Sequence, residues 1–572
     1  MNALTYSTAV HSGRVQLVSL RERSLTVARL RVLLVAALFA ALAVAAVLRI
    51  GYLGLTGHTR AATSFAEALL PPRGEITDRN GEPLARAFPA FALWYNPDAL
   101  GGAPLVKSSK QVAAELAKIF PDMDETQLAD RLAKGKAGYL RRRVLPEDAN
   151  KVQAIGELAL ELPQETDRHY PQGSMGAHVL GYVGADGHGR MGMEAVLDDR
   201  LRDPATRGQS VPLSVDVRVQ GALEDELYRG MRATSALGGA GIVLDVDTGE
   251  VIALASLPSF DPNKIDAAGA QLMFNRVTNQ VYELGSTFKP LTVAAAIDAG
   301  TITDFGHRYS ARPFPIGGYT IKDSHDLGAS LNTPEMLMHS SNVVTGHIVK
   351  DLGPARLKKT LVDLGMNARP EIELPARGFP LWQAGEWPLI TAMTVGYGHS
   401  IAVTPLHLAS AYAAMVNGGV YRPATMRKLS PSEVPKGRRV FKASTSARMN
   451  QLLRMIAVYG TGRKANAPGF RVGGKTGSAD KPSGGGYNRT SVVATFAAAF
   501  PMDRPRYVII AMLDEPKGTV ASSFQRTAAW NAAPVVGRLV PRIGPMLGVA
   551  PDSTRDVDLT DLAPLVPKKG GE

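Results

Sequence analysis

The chain of 572 residues contains no cysteine. Disulfides, a thiol nucleophile and thiolate-bound metals are therefore excluded, and an oxidising compartment is allowed without being demanded. Clustered basic charge is also scarce. Only Arg141-Arg142-Arg143 stand together, no nucleic-acid module pattern accompanies them, and a nucleic-acid partner is not expected. After residue 55 no run is long and apolar enough to cross a bilayer, so the sequence allows at most one membrane passage. An internal repeat is likewise missing.

What is present is an ordinary globular composition, 45% hydrophobic and 20% charged, in a chain long enough for several domains. The formal charge of +12 points to contact with an anionic surface or polymer. Residues 1–31 form a polar tail with Arg14, Arg21, Arg23, Arg29 and Arg31 against the single acid Glu22. From Val32 to Leu48 no charge interrupts, Arg49 can snorkel, and Ile50 to Leu55 extends the apolar span. This predicts a transmembrane anchor over residues 32–55. The arginine excess before it puts the N-terminus in the cytoplasm and everything after it outside. Ala43-Val44-Ala45 supports the competing reading of a cleaved signal peptide; the length of the uncharged core favours an anchor that stays.

Residues 56–215 differ in character. Pro71 to Ala85 reads as a strand, an Asn80-Gly81 turn and a second strand, followed by helical stretches near Gln111 to Phe120 and Asp124 to Lys134 and the basic strand Tyr139 to Leu145. Nothing in this part has catalytic spacing, so it reads as a folded spacer or interaction module. Residues 216–550 form a second, larger domain. A helix is expected from Val217 to Met231, then strands Gly241 to Val246 and Val251 to Ser256 across an Asp247-Thr248-Gly249 turn. A largely helical middle follows, then strands Phe470 to Gly477, Ser491 to Phe500 and Arg506 to Leu513, and a closing helix Thr527 to Met546. Asp480 to Thr490, rich in Gly, Ser and Lys, reads as a mobile loop, and residues 551–572 as a loosely ordered tail. Strands at both ends with helices between them make this an α+β domain whose sheet joins distant parts of the chain.

The stretch Tyr282 to Pro290 carries the chemistry. Pro290 restricts the start of the apolar helix behind it, because proline fits only among the first helical positions. Ser286 therefore sits at or just before the first turn, on one face with Lys289. A serine hydroxyl needs a base within reach, and a desolvated lysine can serve as one. Taken alone, Ser-x-x-Lys reads as a helix cap and a surface lysine, Ser340-Ser341-Asn342 as a cap or turn, and Lys475-Thr476-Gly477 as a strand end. Asp323-Ser324-His325-Asp326 cannot form a triad from adjacent residues, and the spacing of His169, His178 and His188 does not suit a metal site.

In this chain order, however, the three elements are the signature of β-lactamases and penicillin-binding proteins. With Arg73 to Gly81, Arg168 to Glu194, and Gly396-Tyr397-Gly398 followed by Thr404-Pro405-Leu406, the chain resembles class B penicillin-binding proteins, the bitopic D,D-transpeptidases of peptidoglycan synthesis. Its similarity is greater to the septal-division enzymes than to their elongation paralogues, and the marks run from about Arg73 to Pro534. Departures from the family pattern are Leu284 for proline, His407 for glutamine, Ser478 for threonine, and Thr527 to Asn531 for a glycine-rich segment.

The resemblance implies an N-terminal transmembrane helix, an elongated α+β pedestal of the dimerisation type, and a β-lactamase-like domain with helices around an antiparallel sheet. It implies Ser286 as nucleophile, Lys289 as its base, and Ser340 as the proton relay. Asn342 would hold the substrate amide and orient Lys289, and Lys475 would supply positive potential. Thr476, Gly477 and Ser478 would bind substrate, with the backbone N–H groups of Ser286 and Ser478 as oxyanion hole. It implies stem peptides and β-lactams as ligands, and an FtsW-type lipid II glycosyltransferase and other divisome proteins as partners at the inner membrane. No metal or organic cofactor is implied. Two other functions compete: a D,D-carboxypeptidase or β-lactamase of the same fold, for which no Glu-x-x-Leu-Asn-type element supplies a water base, and a catalytically silent divisome scaffold.

Overall fold

The computed structural model describes residues 10–11, 14–15, 20–55, 72–99, 105–265, 269–483 and 486–566. The chain divides into two units, Met1–Leu69 and Leu70–Glu572. In the first, helix α1 runs from Leu20 to Leu55 over 36 residues. At 1.5 Å per residue it is about 54 Å long, more than a bilayer core requires. Its stretch Arg29–Val47 is apolar enough to span a membrane, and the side chains of Val32, Leu33, Leu34 and Phe39 project outward, each more than 60% exposed. The helix starts well before the expected anchor and takes in Arg21, Glu22 and Arg23. Nothing between residues 20 and 31 breaks a helix, so once nucleated it propagates back through the polar residues.

In the second unit, the first part is built on β1 (Ile76–Thr77) and the 13-residue β2 (Pro83–Tyr95), joined at the Asn80-Gly81 turn as the sequence predicts. Strands β3 (Gly138–Val144) and β4 (Gln164–His169) pair with β2 along different parts of its length. Helices α2 (Ser109–Ile119) and α3 (Glu125–Ala133), each started by a side-chain cap, pack Val112, Leu116, Leu128 and Leu132 against Leu93 and Tyr95 of β2. The arginines of β3 face outward and are paired, Arg141 with Asp122, Arg142 with Glu165 and Arg143 with Asp167.

Where β1 meets the rest, Arg73 and Arg168 both grip the fully buried Glu194, at 2.8 and 2.6 Å, and Arg73 also reaches Asp198 at 2.5 Å. Two guanidinium groups and two carboxylates balance in charge, which is what keeps such a cluster tolerable away from water.

The larger part is a three-layer structure. Helix α4 (Val217–Thr234) precedes strands β5 (Gly238–Asp245) and β6 (Val251–Leu257); strands β7 (Gly473–Ser483), β8 (Gly486–Phe500) and β9 (Tyr507–Asp514) come more than 200 residues later. All pair antiparallel in the order β6-β5-β9-β8-β7. Alternation sorts the side chains. Ile242, Leu244, Val508 and Ile510 face a large helical layer, whereas Val243, Ile509, Phe496 and Phe500 face α4 and the closing helix Ala532–Met546. The helical layer includes α5 (Lys289–Asp298), α6 (Asn342–Leu352), α7 (Pro405–Val416) and α8 (Ala443–Tyr459).

Three expectations change. Asp480 to Thr490 is not a loop: Lys481 pairs with Asn488 and Pro482 with Tyr487, so β7 and β8 continue as a hairpin whose residues 484–485 lie outside the described residues. Contacts beyond the hairpin fix what composition could not show, with Lys481 bridging Asp514 and Glu515 and Arg526 bonding the Thr490 carbonyl. The closing helix, α9, begins at Ala532, because the Asn531 side chain accepts from the Ala532 N–H and caps it there. The tail is docked as far as residue 566. Leu562 is buried, Asp556 pairs with Arg454, and Asn332 donates to the Leu565 carbonyl.

Candidate active site

Ser286 lies in a single 3-10 turn, Gly285–Phe288, that runs straight into α5 with Pro290 in its first turn. The turn is clamped from two sides. Tyr282 and Val403 exchange backbone hydrogen bonds of 2.9 and 3.0 Å, and the Gly285 N–H donates to the Gly398 carbonyl at 3.1 Å. Two glycines are required by these close approaches. A Cβ on Gly398 would lie 2.0 Å from the Gly285 carbonyl oxygen, and one on Gly477 would lie 2.3 Å from the Leu284 carbonyl oxygen. Strand β7 can therefore run directly beside the serine turn.

Behind the serine, Lys289 and Lys475 are both fully buried, and their amines converge on Ser340. Lys475 Nζ donates to Ser340 Oγ at 2.9 Å; Lys289 Nζ donates to the same oxygen at 3.2 Å and to the Ser340 carbonyl. Two ammonium groups on one buried oxygen are not both sustainable. Burial, with the charge of Lys475 in second place, holds Lys289 well below the ordinary lysine value, partly opposed by Asp323. Burial brings Lys475 down to about 7. Lys289, its pKa held well below the ordinary lysine value, directs two hydrogen bonds at Ser340, an arrangement that suits a proton acceptor.

Ser340 holds its position through a left-handed backbone, φ 65°, between the end of one helix and the start of α6. Ser341 caps α6, accepting from the Val344 N–H at 3.1 Å, so the motif serves as a helix cap while Ser340 beside it meets both lysines. Asp323 ties the junction together: its carboxylate accepts from Ser341 Oγ at 2.7 Å and from the N–H groups of Asn342 and Val343. In the sequence Asp323 stands in Asp323-Ser324-His325-Asp326, whose adjacent residues cannot form a triad, and that motif does not point to this role. Its only sequence signal is a carboxylate available to a helix N-terminus that lies some twenty residues further on.

On β7, Thr476 Oγ1 is 2.9 Å from Thr461 Oγ1, and Lys475 Nζ also donates to the Thr476 carbonyl. The Ser478 hydroxyl accepts from the Ala528 N–H at 3.0 Å, which anchors the segment before α9 to this strand. Two expected contacts are not made. Ser286 Oγ is not hydrogen-bonded to Lys289, and the Asn342 side chain has no hydrogen-bond partner among the described residues. Nucleophile and base commonly close up only when substrate arrives. The three histidines stay apart: His178 bonds the Leu272 carbonyl, His188 faces Asp198, and His169 lies against Phe88.

Comparison with known proteins fits this geometry. Residues 239–536 match the penicillin binding protein transpeptidase domain, and residues 68–211 match the penicillin-binding protein dimerisation domain. The chain belongs to the penicillin-binding protein transpeptidase family. It is 36% identical over 531 residues, 91% of this chain and 89% of the relative, to the probable peptidoglycan D,D-transpeptidase FtsI of Caulobacter vibrioides. It is 29% identical to FtsI of Escherichia coli, over 84% of each chain. Among solved structures, penicillin binding protein 3 of Mycobacterium tuberculosis complexed with aztreonam superimposes with a TM-score of 0.65 at 25% identity, covering 84% of this chain and 98% of that one.

Two of the family departures have structural explanations in this penicillin-binding protein. His407 takes the glutamine's place in a capping box: its Nδ1 accepts from the Thr404 N–H, and Nε2 donates to the Ala368 carbonyl at 2.8 Å. Burial lowers its pKa to about 4, so the ring stays neutral and keeps both bonds. Asn531 is the α9 cap, and beside it Trp530 receives the Lys464 ammonium 3.7 Å from its ring centre.

Proposed function

We propose that this chain crosslinks peptidoglycan stem peptides through an acyl-enzyme on Ser286, the activity for which its FtsI relatives are named. The observation that carries the reading is the Lys289–Ser340–Lys475 junction directly behind the serine turn. Ser286 Oγ attacks the carbonyl carbon of the penultimate D-alanine while its proton passes to the Lys289 lone pair. The oxyanion is held by the backbone N–H groups of Ser286 and Ser478, each worth roughly 3 to 4 kcal/mol. Ser340 accepts from both lysines, so its own O–H is left to donate to the departing amine and to be resupplied by a lysine. Terminal D-alanine leaves as a neutral amine. An amine of a neighbouring stem then attacks the acyl-enzyme, forms the new amide and returns the proton through the same relay.

Lys475 and Thr476 bind the terminal carboxylate, Gly477 lets the strand approach, and Asn342 has its amide free for the substrate backbone. The hydrolytic alternative needs a base for water. Asp323 is engaged by the α6 N-terminus, and Glu283 by the Ser400 N–H and the Tyr487 hydroxyl, so neither of these carboxylates is free to serve as that base.

The same reading divides the chain into a cytoplasmic tail (1–31), an inner-membrane anchor (32–55), a periplasmic pedestal (56–215), the transpeptidase domain (216–550) and a C-terminal segment. It takes an FtsW-type lipid II glycosyltransferase and other divisome proteins as partners at the septum. Mass spectrometry after benzylpenicillin treatment tests the chemistry. A lasting adduct on the peptide containing Ser286, lost in Ser286→Ala, is the expected result. Rapid loss of the adduct would favour the hydrolase, and no adduct the silent scaffold.

A further inference from the structure

On the sheet face that α4 and α9 cover, a cavity of about 490 Å³ opens between the end of α4, the start of α9 and the turn Arg463–Ala465. Its walls are locked together. A Cβ on Gly537 of α9 would lie 2.3 Å from the Lys464 carbonyl oxygen, and one on Gly230 of α4 would lie 2.8 Å from a Val535 methyl, so the cavity is pre-formed. The described lining holds two cations, Lys464 and Arg538, and no carboxylate. Arg538 pairs with Glu226 at 2.7 Å, a carboxylate that it shares with Arg542, also at 2.7 Å. Lys464 has only the Trp530 ring, whose centre is 3.7 Å from its ammonium, among the described residues. Asn531, also in the wall, is 4% exposed: its Oδ1 caps α9, while its Nδ2 is buried and has no hydrogen-bond partner among the described residues. A buried amide N–H without a partner is costly, and an acceptor brought by a ligand relieves it.

We propose that this cavity is a second ligand site, for a small molecule that carries a carboxylate and an amide, and that its occupation steadies strand β7. The carboxylate is drawn to Lys464, with Arg538 adding potential, and the amide suits the polar side chains of Asn466 and Asn531 in the same wall. Two hydrogen bonds tie that wall to the catalytic strand. The Ala528 N–H, just before the α9 cap, donates to Ser478 Oγ at 3.0 Å, and Thr461 Oγ1, just before the Lys464 turn, is 2.9 Å from Thr476 Oγ1. A ligand that spans Lys464 and Asn531 binds the closed arrangement and not a locally opened one, so it stabilises the segments that hold β7. Two parts of an uncrosslinked wall carry this chemistry: the N-acetylmuramyl sugar and the terminal D-alanine of a stem. Choosing these ligands rests on the transpeptidase reading; the site itself does not.

The test uses the full-length protein in detergent, first acylated with benzylpenicillin so that the catalytic cleft is filled, with Lys464→Gln and Lys464→Arg beside it. Lys464 is exposed on its turn, so both variants are expected to fold and to take up benzylpenicillin at the unaltered rate. The sugar arm titrates N-acetylmuramic acid against N-acetylglucosamine by calorimetry, and the peptide arm titrates Nα-acetyl-D-alanyl-D-alanine against its C-terminal amide. A preference of about fivefold for the carboxylate is expected in at least one arm, and that arm names the source. The preference is expected to fall below about twofold in Lys464→Gln and to survive in Lys464→Arg. At saturation, amide hydrogen exchange in the peptide spanning β7 is expected to slow by about twofold or more, and not in Lys464→Gln. No preference in either arm, a preference undiminished in Lys464→Gln, or binding that leaves β7 exchange unchanged overturns the proposal. If benzylpenicillin forms no adduct on the unaltered protein, the transpeptidase reading falls instead, and the same titrations and exchange measurements on the unlabelled protein still decide the site through their dependence on Lys464.

Discussion

At the scale of single residues, the cost of the proposed catalytic machinery is concentrated in two lysines deprived of water. The acylation rate should rise with pH as Lys289 deprotonates, along a limb lying well below the ordinary lysine range, because burial and the neighbouring Lys475 lower its pKa. Stability should respond to Lys475. Its pKa falls from 10.5 to about 7 on folding, so between those values the unfolded chain holds a proton that the folded chain has released, and stability rises with pH across the window. Lys475→Met removes that dependence. We expect it to abolish penicillin labelling and to raise the melting temperature by more near pH 7 than near pH 9.5, measurable by calorimetry.

The meeting of Lys289, Ser340 and Lys475 was legible in the sequence because short motifs mark these residues, and Ser286 stands in the first of them. Asp323 was not, since its role exists only once its loop reaches the α6 N-terminus. The expected link from Asn342 to Lys289 was not found, because Lys289 turns both its hydrogen bonds to Ser340.

Among the elements, the serine turn and strand β7 work as one piece because glycines let two backbones touch. Gly477→Ala would place a methyl 2.3 Å from the Leu284 carbonyl oxygen and 2.7 Å from the Thr287 side chain. A backbone atom cannot swing aside as a side-chain tip can, so the strand must move. We expect a loss of at least a hundredfold in the acylation rate with the circular dichroism spectrum retained, read by stopped-flow labelling. The central strands β5, β6, β8 and β9 were visible as apolar runs, and α4 by its period. The hairpin beyond Asp480 was hidden because glycine, serine and lysine advertise a loop, while the partners that straighten it, Asp514, Glu515 and Glu283, sit on other elements.

For the molecule as a whole, the family marks Arg73, Arg168 and Glu194 make no hydrogen bond or ion pair with Lys289 or Lys475 among the described residues. Their charges are accounted for by the buried cluster they form. Glu194→Ala would leave the buried Arg168 without its carboxylate and Arg73 with Asp198 alone, a loss expected to cost roughly 3 to 5 kcal/mol. Urea denaturation of the full-length protein should show it, while any folded fraction keeps a normal acylation rate. Sequence alone could pair these segments by resemblance but not show that Glu194 is shared.

Strand β7 also stands last in its sheet, with a neighbour on one side only among the described residues. A guest peptide laid along such a margin is gripped by its main chain, and main chains are alike whatever residues they carry. An enzyme that greets its substrate in this way gains latitude over the composition of the wall it stitches, and the same latitude admits small cyclic amides that merely imitate the outline of a dipeptide.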